Sequence, residues 1–316
     1  MSKIVNYELI TSTSSIQADM YGSRAKCLQR LIRLGLPVPQ SVALSVPFVN
    51  SIALGKSIDL KKLVTCFPAS PIISVRSSPV SAEWGGPSTI LNIGMNSEIE
   101  KVYSNTLGSF AARELHIKFI KSFAIEVMRL DDEIFDHINI TPEVAIDAYE
   151  QEIAECFPRT IEAQLSEVLK SMSRAWQGTS ARLLRASKGA ADDAGLGLVV
   201  QQMAFGLGKG ESGAGVIQFV DSDTGIKREI GRYLSQSQGR DALINKKAAI
   251  FLTKDERGPS LEDTQPDIFY ELTQAGVNCS KGLKEEMQIE FTLQNGRLFI
   301  LDAIPTPRNA LAAVEV

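Results

Sequence analysis

Histidine is nearly absent from this 316-residue chain: His116 and His137 are the only two, and neither has a serine or cysteine motif beside it. A catalytic triad or a phosphorylated histidine therefore finds no support in the sequence. Cysteine is scarce as well. Cys27, Cys66, Cys156 and Cys279 lie far apart with no CxxC pair, which sets aside a zinc site and a disulfide framework and fits a reducing cytoplasm. No uncharged apolar run approaches membrane-spanning length, and MSKIVNYELITSTSS lacks the basic, apolar and small-residue succession of an export signal. Surplus positive charge is missing too. A net charge of -4 and a pI near 5.5 argue against a general affinity for nucleic acid or anionic membrane, so any phosphate site must be local.

What is present is a globular composition, 44% hydrophobic and 22% charged, at a length that exceeds one compact core. Residues 1–95 read as a mixed α/β lobe. Apolar spacing predicts a helix over Ser23–Leu34, ended by Gly35-Leu36-Pro37-Val38-Pro39, and then strands at Ser41–Val46 and Ile72–Ser77. Over 96–190 the period turns helical, through Ile99, Val102, Leu107 and Phe110 and again through Ile161, Leu165, Val168 and Met172, with a crossing at Asp131–Pro142. His116 is expected at a helix packing face or the surface, and His137 in a connection. Over 191–316 the period returns to two, predicting strands at Leu196–Met203, Gly215–Val220, Lys227–Tyr233 and within Ile289–Leu301. The class is α+β.

Three constellations bear on phosphate and metal chemistry. The run Phe205-Gly206-Leu207-Gly208-Lys209-Gly210-Glu211-Ser212-Gly213-Ala214-Gly215 sets five glycines around one lysine, and glycine lets backbone N–H groups turn toward a phosphate. Its GxGxxG match is weak, because a strand follows where the dinucleotide fingerprint needs a helix, so a plain hairpin loop and a phosphate cover are both open. Arg76 ends an apolar strand, and its planar guanidinium suits either two bonds to phosphate or a surface ion pair. Arg24 and Lys26 face the same choice.

The third is the hairpin Gln288–Asp302, turning at Asn295-Gly296 with Glu290 and Asp302 near its open end. Magnesium commonly uses one or two carboxylates with substrate phosphates, so this pair is either a metal site or two solvated acids. Loop length decides between them. A two-residue turn pairs 294 with 297 and puts the acids on opposite faces, whereas a three-residue loop pairs 293 with 297 and puts them on one. Chelation leads us to expect the three-residue loop, with Gly296 at positive φ.

Taken in order, Gly35-Leu36-Pro37-Val38-Pro39, Ser74-Val75-Arg76-Ser77, Thr89-Ile90-Leu91-Asn92-Ile93-Gly94, Val200-Gln201-Gln202-Met203, Ser212-Gly213-Ala214-Gly215-Val216 and Ile289-Glu290-Phe291-Thr292 resemble the N-terminal nucleotide-binding domain of the pyruvate phosphate dikinase and phosphoenolpyruvate synthase family. The resemblance implies an ATP-grasp-like fold of two α+β lobes with a helical segment, holding ATP and Mg2+. It implies that Arg24 and Arg76 contact phosphates and that Gly85 and Thr89 belong to a loop over the nucleotide. Gln201, Gln202 and Met203 would lie along the adenine. Lys209, Gly210, Ser212 and Gly213 would form a lid, and Glu290 with Asp302 would hold the metal. Departures stand out. Arg24 replaces a family lysine, Asp302 a glutamine, Gln288 an aspartate and Ile304 an arginine expected to stabilise transferring charge, while Trp84-Gly85-Gly86-Pro87-Ser88 replaces a methionine-rich loop. The family's histidine-bearing and pyruvate-handling domains find no room in 316 residues. The acceptor is therefore expected on a partner phosphohistidine domain or a small molecule, with a non-catalytic ATP-binding or regulatory module as the alternative.

Overall fold

The structure, a computed structural model, describes residues 6–56, 59–136, 141–239, 241–245 and 247–307. It is α+β, as expected, with two antiparallel five-stranded sheets. The first sheet contains β1 (Tyr7–Leu9), β2 (Ser41–Leu44), β3 (Ile73–Pro79), β4 (Ile90–Ile93) and β5 (Leu196–Gln202), in the order β1-β2-β5-β3-β4. The second contains β6 (Gly213–Val220), β7 (Lys227–Ser235), β8 (Ile250–Phe251), β9 (Met287–Gln294) and β10 (Arg297–Pro305), in the order β10-β9-β6-β7-β8. The described chain divides into two compact units. One takes in the residues up to Lys26 and from Gln40 to Met203; the other takes in Cys27–Pro39 and the residues from Ala204 on.

In the first unit every residue of β2 and β3 is buried, the polar Ser74, Arg76, Ser77 and Ser78 of β3 included. The helix Ile161–Gln177 packs Leu165, Val168, Leu169, Met172 and Trp176 inward at the predicted spacing, and the Thr160 side chain caps its first turn. The earlier helical run departs from expectation. Phe110 is 80% exposed, because Gly108 at φ 92° breaks the run into Ser97–Leu107 and Ser109–Ser122 and resets which face points inward, while Val102, ahead of that break, is 56% exposed on the first of these helices. His116 is buried between helices with Nδ1 2.7 Å from Glu100 Oε2, while His137 lies outside the described residues.

The predicted first helix begins five residues early. Helix α1 spans Ala18–Arg33 with a kink at Gly22, whose φ of 84° and ψ of 166° are not helical. A Cβ at Gly22 would stand 1.7 Å from the Ser78 carbonyl oxygen, so only glycine admits this approach to β3.

Candidate functional site

In the first unit the kink at Gly22 brings the start of α1 onto the end of β3. Ser78 Oγ donates to the Tyr21 carbonyl at 2.8 Å and accepts from the Ala25 N–H at 3.1 Å, and Ser23 Oγ donates to the Pro79 carbonyl at 2.9 Å. One step further on, Arg24 Nη1 donates to the carbonyl of Ser77. Ser77 follows Arg76 in sequence, so Arg24 bonds the backbone next to Arg76; Arg76 itself lies in the middle of β3, which runs on to Pro79, rather than ending the strand as expected. Arg76 is 4% exposed and opposite Val199 in the sheet, which removes the reading of an ordinary surface ion pair. Gly86 lies against the same Ser77, within 2.6 Å of Ser77 Cβ for a Cβ built on it, so the loop carrying Gly85 and Thr89 folds back over this strand end. Gly85 has φ 72° and Thr89 is exposed.

Gln201, Gln202 and Met203 end β5. The Gln202 N–H donates to the Gln40 carbonyl at 2.8 Å and the Met203 N–H to the Ile72 carbonyl at 2.9 Å, while Gln201 Nε2 donates to Ser41 Oγ at 3.1 Å. Both of those N–H groups are committed to neighbouring backbone.

In the second unit the glycine-rich run divides into packing residues and loop residues. Gly213 and Gly215 lie within β6, where a Cβ would strike the Tyr233 ring and the Phe291 ring respectively. These two rings stack at 6.2 Å and 8° in the space the glycines leave. Lys209 and Gly210 are exposed, whereas Ser212 is buried and accepts the Asn295 N–H on its hydroxyl at 3.0 Å. The loop is docked on the β9–β10 turn, with the Gly296 N–H donating to the Glu211 carbonyl at 2.7 Å. Sequence reasoning passed over the residues that fasten it. Gln236 and Tyr233 bear no motif, and Glu211 was visible only as one letter of the glycine run.

The hairpin corrects the expected loop length. Arg297 pairs with Gln294, which makes Asn295-Gly296 a two-residue turn, with φ of 52° and 75°. Positive φ at both central residues is the primed geometry that matches strand twist, and Asn-Gly favours it over a three-residue loop. Gly296 has the expected positive φ. That turn alone would put the acids on opposite faces, but the register shifts between Ile300 and Asp302. Leu301 is the extra residue of a β-bulge, and beyond it Asp302 pairs directly with Glu290. The two carboxylates thus share a face after all.

The bulge is braced on both sides from within the same unit. The Ile300 N–H donates to the Pro37 carbonyl at 2.9 Å, and Cys27 Sγ donates to the Ala303 carbonyl at 3.1 Å. Burial pushes the Cys27 thiol up to about 12, and the Asp302 charge adds to the effect. Asp302 is 2% exposed and Glu290 half-buried. Two pairs further along, on the same face, stand Gln288 and Ile304.

Among the described residues no cluster of three or more His, Cys, Asp or Glu could hold a metal by itself. Glu290 and Asp302 nevertheless fit magnesium as a partial ligand set, offering two adjacent oxygen donors and leaving its other positions to water and phosphate. No helix among the described residues is long and apolar enough to cross a membrane.

No family model matches the chain. Curated relatives do. The pyruvate, phosphate dikinase of Rickettsia prowazekii (strain Madrid E) is 23% identical over 339 residues, covering 94% of this chain and 38% of that protein. The pyruvate, phosphate dikinase of Rhizobium meliloti (strain 1021) is 24% identical, covering 96% and 39%. The chloroplastic pyruvate, phosphate dikinase of Flaveria trinervia is 26% identical over 272 residues, covering 79% and 28%. The resemblance carried by the motifs therefore holds along almost the whole chain, which is a relative of the pyruvate, phosphate dikinases over less than two fifths of their length.

Proposed function

We propose that the chain is an ATP- and magnesium-dependent phosphotransferase domain of the dikinase kind, acting on a phosphohistidine domain of a partner protein or on a small molecule. The observation that carries this reading is the Glu290–Asp302 pair, set side by side by the bulge at Leu301. Bound there, magnesium would neutralise charge on the nucleotide's phosphoryl oxygens. Arg24 and Arg76 would hold phosphate as fixed cations, and catalysis would be positioning plus electrostatics rather than covalent chemistry. Gly85 and Thr89 would cover the nucleotide, Gln201–Met203 would flank its base, and Lys209, Gly210, Ser212 and Gly213 would contribute the glycine-rich loop.

A second reading, a non-catalytic nucleotide-binding or regulatory module, is favoured by one feature. Ile304 follows the carboxylate pair on the same face, and it is aliphatic where the relatives' resemblance calls for an arginine. Loss of one charge-stabilising arginine costs about 10³–10⁵ in phosphoryl-transfer rate, by analogy with arginine fingers.

Product analysis separates the readings. The isolated chain is expected to turn over ATP negligibly, and a histidine-domain partner is expected to make it release AMP. Rapid ADP formation by the chain alone, abolished by Glu290→Ala, would retain the site and overturn the dikinase class. Binding without product under either condition would favour the regulatory module.

A further inference from the structure

The glycine-rich loop, which its composition leaves open as a plain hairpin loop or a phosphate cover and which the resemblance makes a lid, has its backbone tied down at three places within its own unit. Gln236, itself in the left-handed region at φ 50°, uses its side-chain amide twice on one residue: Nε2 donates to the Gly208 carbonyl at 3.1 Å, and Oε1 accepts the Gly208 N–H at 3.1 Å. Its backbone N–H donates to the Ser212 carbonyl at 2.8 Å, so one residue grips the loop at both Gly208 and Ser212. Glu211 supplies the third tie. Its Oε1 accepts the Tyr233 hydroxyl at 2.5 Å, its Oε2 accepts from Gln265 Nε2 at 3.4 Å, and its carbonyl accepts the Gly296 N–H. Tyr233 is 1% exposed, so this anchor is rooted in the core.

We propose that Gln236 and Glu211 are positioning residues that hold the glycine-rich loop in shape before any nucleotide arrives, making it a docked cradle with a short exposed tip at Lys209–Gly210. The inference rests on the phosphate-binding role given to this loop above. The two-point amide contact is what distinguishes it from incidental packing, since a side chain that accepts the N–H and donates to the carbonyl of one residue fixes the two peptide planes flanking that residue in orientation as well as in place. A preformed loop avoids the ordering cost that a disordered one meets on binding. It also spares Gly208 and Gly210, at φ 130° and 70°, from searching the wide conformational range open to glycine.

The test uses the whole chain and the variants Gln236→Ala and Glu211→Gln. Each is scored by trypsin cleavage after Lys209, titration with MgATP, Mn2+ binding followed by electron paramagnetic resonance, and thermal unfolding. Two lost hydrogen bonds at a partly exposed site raise the loop's open population about 5- to 100-fold. Cleavage after Lys209 in Gln236→Ala is accordingly expected to quicken by about tenfold, in proportion to that population. MgATP affinity should weaken while Mn2+ affinity and the unfolding temperature hold. A merely structural role would lower the unfolding temperature together with every other property. Unchanged cleavage in both variants would overturn the proposal, and so would tighter MgATP binding by Gln236→Ala, which would make Gln236 an occluder. If the parent chain binds no MgATP, the phosphotransferase reading fails, and the cleavage rates still decide whether the loop is held.

Discussion

Gly22 sets the tightest tolerance around the arginine pair. Any side chain there meets both a positive φ and the Ser78 carbonyl at 1.7 Å. Gly22→Ala is therefore expected to cost about 2–4 kcal/mol in urea unfolding, and to weaken phosphate affinity by displacing Arg24 from Ser77. A neutral substitution would mean that α1 can straighten without loss. Cys27 and Cys279 give a prediction in pH. Burial raises both thiols from 9.0 to about 12, so the folded chain holds their protons more tightly than the unfolded chain does. That contribution is fully present below about pH 9 and is lost as pH rises toward 12, at about 1.4 kcal/mol per pH unit per thiol where only the folded state keeps the proton. Unfolding free energies measured from pH 8 to 11 should fall less steeply in Cys27→Ala than in the parent. Equal slopes would contradict the burial argument.

At the scale of elements the informative case is the β9–β10 hairpin. Asn295-Gly296 favours a primed two-residue turn, but the three-residue loop was expected because, without a bulge, it alone sets Glu290 and Asp302 on one face. The bulge was not legible in the sequence. No residue type in Phe299-Ile300-Leu301-Asp302 demands an extra position, and the register shift goes with contacts from Pro37 and Cys27, more than 260 residues away in sequence. The bulge makes a specific prediction. In Leu301→Asp combined with Asp302→Ala, a regular hairpin would place the moved carboxylate opposite Glu290 and restore metal binding, whereas the bulged hairpin would not. We expect no rescue, read as Mn2+ affinity no better than that of Asp302→Ala alone. The helices teach the same lesson. The 161–177 period was readable because one uninterrupted face packs inward, while the run from Ile99 misled at Phe110 because Gly108 breaks it and starts a second helix.

Over the whole molecule, chain order is a poor guide to which residues share a core. Cys27–Pro39 belongs with the second unit although it is flanked in sequence by residues of the first. Within that unit Arg30 donates to the Leu283 carbonyl at 3.2 Å, at the C-terminal end of helix Pro266–Leu283, where a cation complements the exposed carbonyls. Composition and period identified the α+β class and the strands that bear the candidate residues, but they carry no information on such long-range membership. Gly35-Leu36-Pro37-Val38-Pro39, one of the motifs on which the resemblance to the dikinase family rests, braces the bulge at Pro37. The proposed function stands or falls on Glu290 and Asp302 forming one magnesium site that serves ATP. Its most direct test is calorimetric titration of ATP into the chain with Mg2+ or with EDTA, in the parent and in Glu290→Ala. Binding in the parent is expected to need Mg2+ and to be nearly abolished in Glu290→Ala, with the variant's fold intact by circular dichroism. Equal affinity in parent and variant, or ATP binding indifferent to Mg2+, would contradict it.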